Sequence, residues 1–189
     1  MKRVSRTDRP RVSLFSQSLF ALPLDEAIEA TASAGFPAIE LACTKPHLDL
    51  ERARREADKV AERIEQVGLR VSALSLFNSF TTPDRLANQI DSAETFIRLA
   101  PLFKTKILKM TPGPPGSAEA TEEHWGRLAD ALARLVPAAR ETGVRLAFET
   151  HMRQLTDTLA SSERLLALAP ADAVGLTVDF SNLSFAGEQ

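Results

Sequence analysis

Glu149 and Asp179 are the residues whose setting most calls for chemistry. Glu149 closes the apolar run Val144-Arg145-Leu146-Ala147-Phe148-Glu149, and Asp179 closes Val174-Gly175-Leu176-Thr177-Val178-Asp179. A carboxylate at the end of a buried strand gives up hydration, and a bound cation is a common way to offset that loss. Side chains alternate along a strand, so His151 falls on the same side as Glu149 if the strand runs that far, where it would help bind a metal and orient a substrate oxygen. Carboxylates and imidazole from successive strands make a mixed oxygen and nitrogen donor set suited to Mn²⁺, Co²⁺, Mg²⁺ or Zn²⁺. The competing expectation is that the strand-end acids meet solvent or cap a nearby helix.

Other candidates carry two readings each. Lys109 alternates with Ile107 near the end of a strand pattern, where it would steady a developing oxyanion or act as a snorkelling structural lysine. Glu40 interrupts Ala38-Ile39-Glu40-Leu41-Ala42, either orienting a neighbouring ligand or serving as a buried, hydrogen-bonded acid. His47 falls on the expected active face without a partner in view. His124 opens a helical pattern and reads as exposed. Cys43 follows an apolar stretch and reads as a buried structural thiol. Arg52, Arg54 and Arg55 lie among Glu51, Glu56 and Asp58, the pattern of a solvated helix face.

These residues need a scaffold that sets strand ends side by side, and the chain has the rhythm of one. Strand patterns begin near Arg11, Pro37, Leu69, Thr105, Gly143 and Ala173, about 26 to 38 residues apart, close to the ~30-residue scale of a strand–helix unit. Between them the period turns helical: Ala53, Ala57, Val60, Ala61, Ile64, Val67; then Leu86, Ile90, Ala93, Ile97, Ala100; then Trp125 through Ala139. Gly35, Gly68 and Gly143 stand where a left-handed helix C-cap is expected. Pro112 to Gly116 form a loop. Such alternation implies a parallel α/β sheet, either doubly wound or a closed (β/α)8 TIM barrel. No GxGxxG or Walker-type cradle occurs, which argues against nucleotide binding. A barrel needs eight strands and typically ~250 residues. The expectation is therefore an incomplete barrel of six units, with a flexible N-terminal tail over residues 1–10 and a single domain over 11–189 that lacks the last two strands.

Composition narrows the classes further. The chain has 189 residues, 44% hydrophobic and 25% charged, as in ordinary globular proteins. A net charge of -2 speaks against a nucleic-acid partner. No stretch approaches the roughly 20 apolar residues of a bilayer span, so no membrane partner is expected. A single cysteine cannot form an internal disulfide, and a cytoplasmic location is the default.

Phe148-Glu149-Thr150-His151 with Leu155-Thr156-Asp157-Thr158, followed by Val174 to Phe180, resembles the xylose isomerase-like TIM barrels. These include sugar phosphate isomerases and epimerases, inosose and dehydroshikimate dehydratases, and relatives of endonuclease IV. Leu24-Asp25-Glu26-Ala27-Ile28 and Ala34-Gly35-Phe36 through Leu41 are similar to that family's first helix and second strand. The resemblance implies a divalent metal held by a Glu from strand five, an Asp from strand six, a His from strand seven and a Glu from strand eight. Glu149 and Asp179 match the first two positions. It also makes Glu149 one of two carboxylates that move a proton beside a metal-polarised carbonyl of a small sugar or polyol. Where many members carry a His three residues after the strand-six Asp, this chain has Asn182, which can hydrogen-bond a hydroxyl but takes up no proton at neutral pH.

The leading expectation is thus a metal-dependent isomerase or epimerase, with a dehydratase on the same scaffold as the alternative. Three histidines and a pI near 6.0 do not suit a zinc-rich endonuclease. A reading of another class is a truncated, non-catalytic barrel whose open strand edges pair with a second copy as a homo-oligomer.

Overall fold

The computed structural model describes residues 12–188. Six parallel strands alternate with helices, and their order in the sheet is their order in the chain: β1 (Leu14–Phe15), β2 (Ala38–Ala42), β3 (Arg70–Ser75), β4 (Ile107–Met110), β5 (Arg145–Glu149) and β6 (Val174–Thr177). The helices are α1 (Leu24–Ser33), α2 (Leu50–Gln66), α3 (Leu86–Leu99), α4 (Glu122–Thr142), α5 (Leu159–Leu166) and α6 (Phe180–Phe185). This is the winding of a TIM barrel left open: among the described residues β1 and β6 each pair on one side only. The expectation for the N-terminal tail lies outside the described residues.

Local chemistry sets the helix ends. Asp49 caps α2, its side chain accepting from Arg52 N at 2.8 Å, and Thr158 caps α5 from Ser161 N; such caps contribute about 1 kcal/mol each. Gly143 ends α4 at φ 68°, a left-handed conformation that would strain a residue with a Cβ. The charged face of α2 is solvated as expected, with Arg54 paired to Asp91 and Arg55 to Glu51.

Strand alternation divides the sheet into two unlike faces. Ile39, Leu41, Leu74, Leu108, Met110, Leu146 and Phe148 are all 0% exposed. They form one core with the apolar faces of the helices, including Ile64, Phe96, Ile97, Leu128, Leu132 and Leu165. Residues in register on parallel strands share a face, so the other side can be read in layers. Phe15, Glu40 and Ala73 form one. Ala42, Ser75, Lys109, Ala147 and Gly175 form the next. Glu149 and Thr177 form the layer nearest the strand C-termini. This face corresponds to the interior of a closed barrel, and its long side chains are spaced by small ones.

Candidate functional site

Lys109 organises the inner face. Its register neighbours are Ser75 and Ala147, and these small side chains leave its stem room to lie across the sheet. Nζ reaches Glu40 Oε1 at 2.7 Å and Glu149 Oε2 at 3.3 Å, and it sits 4.3 Å from the centre of the Phe15 ring, where the ring face attracts a cation. The lysine side chain is only 8% exposed, against 20% for Glu40 and 16% for Glu149. A buried ammonium between two carboxylates and a ring offsets its own desolvation. The three residues come from β2, β4 and β5, more than 30 positions apart in sequence. Lys109 therefore does not snorkel to solvent; it is ion-paired with Glu40, and the same ammonium joins both to Glu149.

Glu149 ends β5, and its backbone carbonyl accepts a hydrogen bond from Thr156 Oγ1 at 2.6 Å. Asp179 is placed differently from the expected strand end. β6 stops at Thr177, and Asp179 instead caps α6, accepting from Asn182 N at 3.0 Å through Oδ1 and from Asn182 Nδ2 at 3.0 Å through Oδ2. Asn182 is therefore engaged with the carboxylate rather than projecting separately. A two-way link ties the two strand exits: Thr150 Oγ1 donates to the Asp179 carbonyl at 3.3 Å and accepts from Asp179 N at 2.7 Å. His151 lies beyond the end of β5. The alternation expected to aim it with Glu149 stops at that strand end, and its Nδ1 meets the neighbouring Met152 carbonyl at 2.8 Å.

The donor types of Glu149 and Asp179, hard oxygens at the exits of adjacent strands, fit a divalent cation. Their number makes only half of a four-ligand set, for among the described residues no group of three or more His, Cys, Asp or Glu is placed to hold a metal ion.

The remaining candidates are structural. His47 is 1% exposed. Its Nε2 contacts the Leu22 carbonyl at 3.2 Å and so must carry the proton; Nδ1 then accepts from Ser16 Oγ at 3.0 Å, while Ser16 Oγ itself accepts from Ala42 N. Burial holds the His47 pKa below the ordinary histidine value, and the positive Arg52 side chain acts in the same direction against the Leu22 and Leu19 carbonyls. This locks the β1–α1 segment onto the end of β2. His124 is not a free surface group: its ring joins Thr121 in the capping box of α4. Cys43 is buried, and desolvation pushes its thiol far above the ordinary range, which rules it out as a thiolate nucleophile near neutral pH.

Sequence reasoning missed Phe15, Phe77 and Ser75. Phe77 stacks on Phe15 with centroids 6.3 Å apart and is 44% exposed beside the site. Ser75 is fully buried on the inner face, and its hydroxyl has no hydrogen-bond partner. The alternation Ala73, Ser75, Phe77 in the strand-three pattern was the available signal.

The comparisons with known proteins bear on the fold. The chain is 34% identical over 89 residues to inosose dehydratase of Bacillus cereus (strain AH820), a match covering 47% of this chain and 26% of that protein. Among solved structures, the probable 3-DHS dehydratase involved in petrobactin synthesis from Bacillus anthracis superposes with a TM-score of 0.79 at 21% identity, covering 95% of this chain and 66% of that one. An L-ribulose 3-epimerase gives 0.74 at 23%, covering 94% and 63%, and the IOLI protein with a bound zinc atom gives 0.75 at 20%, covering 94% and 66%. At these identities the structural likenesses establish the fold alone. The chain spans about a quarter of the curated relative and about two thirds of the solved structures it matches. The family model of the xylose isomerase-like TIM barrel matches residues 28–189, and the chain belongs to that family.

Proposed function

We propose that this chain carries the strand-five and strand-six part of a metal-dependent site that moves a proton next to the carbonyl of a small sugar or polyol, with isomerisation or epimerisation as the outcome. The observation that carries the reading is the convergence of Lys109 and Glu149 at the C-terminal end of the sheet, 3.3 Å apart, where barrels of this fold place their chemistry. Glu149 and Asp179 would supply two ligands to the cation, which, when bound, polarises a substrate carbonyl and acidifies the neighbouring C–H. Glu149 takes the proton as a carboxylate base, held in place through Oε2 by Lys109. The Lys109 ammonium donates to the oxygen on which negative charge builds up. Returning the proton to the former carbonyl carbon, while the neighbouring hydroxyl passes its proton to the former carbonyl oxygen, gives isomerisation; protonation of the original carbon from the opposite face by a second acid gives epimerisation. Asn182 steadies Asp179 through Nδ2.

The similarity to inosose dehydratase and to the probable 3-DHS dehydratase favours a second outcome. There the first proton abstraction is the same, and a hydroxyl on the next carbon departs as water instead of the proton being returned.

One experiment addresses both. The protein is incubated in D2O with Mn²⁺ or Co²⁺ and a panel of keto-sugars and inososes, and the carbon next to the carbonyl is followed by NMR. Deuterium at that carbon with an intact hydroxyl count supports isomerase or epimerase chemistry; an unsaturated ketone supports the dehydratase. Absence of both with every substrate overturns the reading. Mn²⁺ binding followed by electron paramagnetic resonance gives a readout independent of turnover, and Glu149→Gln and Asp179→Asn are expected to weaken it.

A further inference from the structure

We infer that Thr156 is a positioning residue for Glu149, and that Gln154 and Asp157 brace it against the loop between β4 and α4. The role presupposes Glu149 as the base of the proposed site. It gives a purpose to the segment Leu155-Thr156-Asp157-Thr158, none of whose side chains takes part in the proton transfer.

The peptide after Glu149 stands at a gap in the sheet. Thr150 N donates to the Thr177 carbonyl on β6 at 2.9 Å. In a trans peptide the C=O and N–H point opposite ways, so the Glu149 carbonyl faces β4. There the ladder has already stopped, with Met110 and Phe148 as its last pair. A carbonyl left at such a place needs another donor. Thr156 supplies it: its side chain is fully buried, and Oγ1 donates to the Glu149 carbonyl at 2.6 Å. Thr156 is held in turn by α5, where Ser162 Oγ donates to its carbonyl at 3.4 Å.

Its neighbours tie it across to the loop after β4. Gly113 N donates to Gln154 Oε1 at 2.9 Å, and Leu155 N donates to the Gly113 carbonyl at 3.1 Å. Ser117 N donates to both oxygens of Asp157, at 3.2 and 3.1 Å. These contacts have no slack. A Cβ on Gly116 would lie 2.6 Å from Asp157 Oδ2, and one on Gly113, at φ 108°, would lie 2.7 Å from Thr81 Oγ1. Thr81 Oγ1 donates to the Pro114 carbonyl, and the Thr81 carbonyl accepts from Arg127 Nε of α4 at 2.7 Å. Hydrogen bonds joined by short stretches of chain therefore run from α4 through three loops to the Glu149 carbonyl. Turning the Glu149 peptide would swing its carboxylate, and a displacement of about 1 Å at a reacting group costs on the order of a hundredfold in rate.

The test compares Thr156→Val, which keeps the shape and loses the donor, with Thr156→Ser, which keeps the donor. Two readings are taken on the folded protein. One is kcat and KM for deuterium uptake with Mn²⁺; the other is the 13C resonance of the Glu149 carboxyl in metal-free protein, assigned by its loss in Glu149→Gln. Thr156→Val should lower kcat roughly ten- to hundredfold with KM within about twofold, and should shift or broaden the carboxyl line. Thr156→Ser should restore both. Asp157→Ala, one step further from the base, should act in the same direction by about three- to tenfold in kcat. A lower melting temperature in Thr156→Val with kcat and the carboxyl line unchanged would make Thr156 structural only and overturn the proposal. So would a folded Thr156→Ser that behaves like Thr156→Val. If the unchanged protein turns over no substrate, the proposed reaction fails, and the carboxyl line alone still decides the positioning role. If Thr156→Val does not fold, Asp157→Ala decides it, and an unchanged kcat and carboxyl line there overturn it.

Discussion

Phe148 and Glu149 are consecutive residues on one strand and belong to different proteins in all but covalent terms. Phe148 is fully buried against the helices, edge-on to Phe80 with centroids 6.3 Å apart. Glu149 faces the other way, onto Lys109. The same split runs through β2 (Ile39 and Leu41 against Glu40) and β4 (Leu108 and Met110 against Lys109). The helix-facing side has shed polarity and maximised contact. The inner side keeps ion pairs, a buried serine hydroxyl without a partner and small spacers that contribute little to packing. Stability and chemistry are therefore separated by a single residue step rather than by distance.

The sharpest way to break this comparison is to change the two neighbours in turn. Glu149→Gln keeps shape and removes the base, so turnover in the deuterium assay should fall by roughly a hundred- to ten-thousandfold while the urea midpoint stays close to that of the unchanged protein. Phe148→Ala should do the reverse, costing about 3 to 5 kcal/mol in urea unfolding through the cavity it leaves, with Mn²⁺ binding retained in the folded fraction. If the two variants behaved alike, the division of labour would not exist.

Lys109→Met tests the one inner-face group on which both functions meet. Removing the cation from between Glu40 and Glu149 should cost up to about 3 to 5 kcal/mol, the scale for breaking a buried pair, and should lower turnover as well. A smaller effect is expected at His47, in the loop between β2 and α2. The folded His47 pKa is depressed, so the unfolded chain takes up a proton more readily. Its contribution to stability is complete above the unfolded value of about 6.5 and is lost as pH falls through the lower folded value. His47→Gln should flatten that acid limb in urea melts followed from pH 7.5 to 5. The smallest effect belongs to the helix layer: Asp49→Ala should remove about 1 kcal/mol by uncapping α2, read as a shift in melting temperature, and leave the inner face unchanged.

The strand–helix rhythm was legible because it is written locally. Strand patterns placed all six strands, with observed bounds a few residues inside the apolar runs, since pairing ends before hydrophobicity does. The α2, α3 and α4 stripes read directly from their spacing. Glu40, Lys109 and Glu149 could be named one by one, but their meeting depends on the register of β2, β3, β4 and β5, which no local pattern encodes. For Asp179 the helix-capping expectation is the one the structure bears out: Val178 prolongs the apolar pattern past the last paired residue, whereas Asp179 with Asn182 three residues later has capping spacing. His47 carried no local sign of its partner, because Ser16 lies 31 positions away.

The link between Thr150 and Asp179 has a consequence for recombination. Its two hydrogen bonds fasten the exit of β5 to the exit of β6, so the acidic pair and its fastening travel together within the span from Gly143 to Ala186. A chimera that imports this span whole inherits both carboxylates with their relative placement. A crossover between Thr150 and Asp179 imports one half of the fastening into a parent that must supply the other, and such hybrids should fold through their helix-facing core yet lose the alignment of the acids. In a family assembled from repeated strand–helix units, that sets the smallest piece of chain that can be exchanged without dismantling the site.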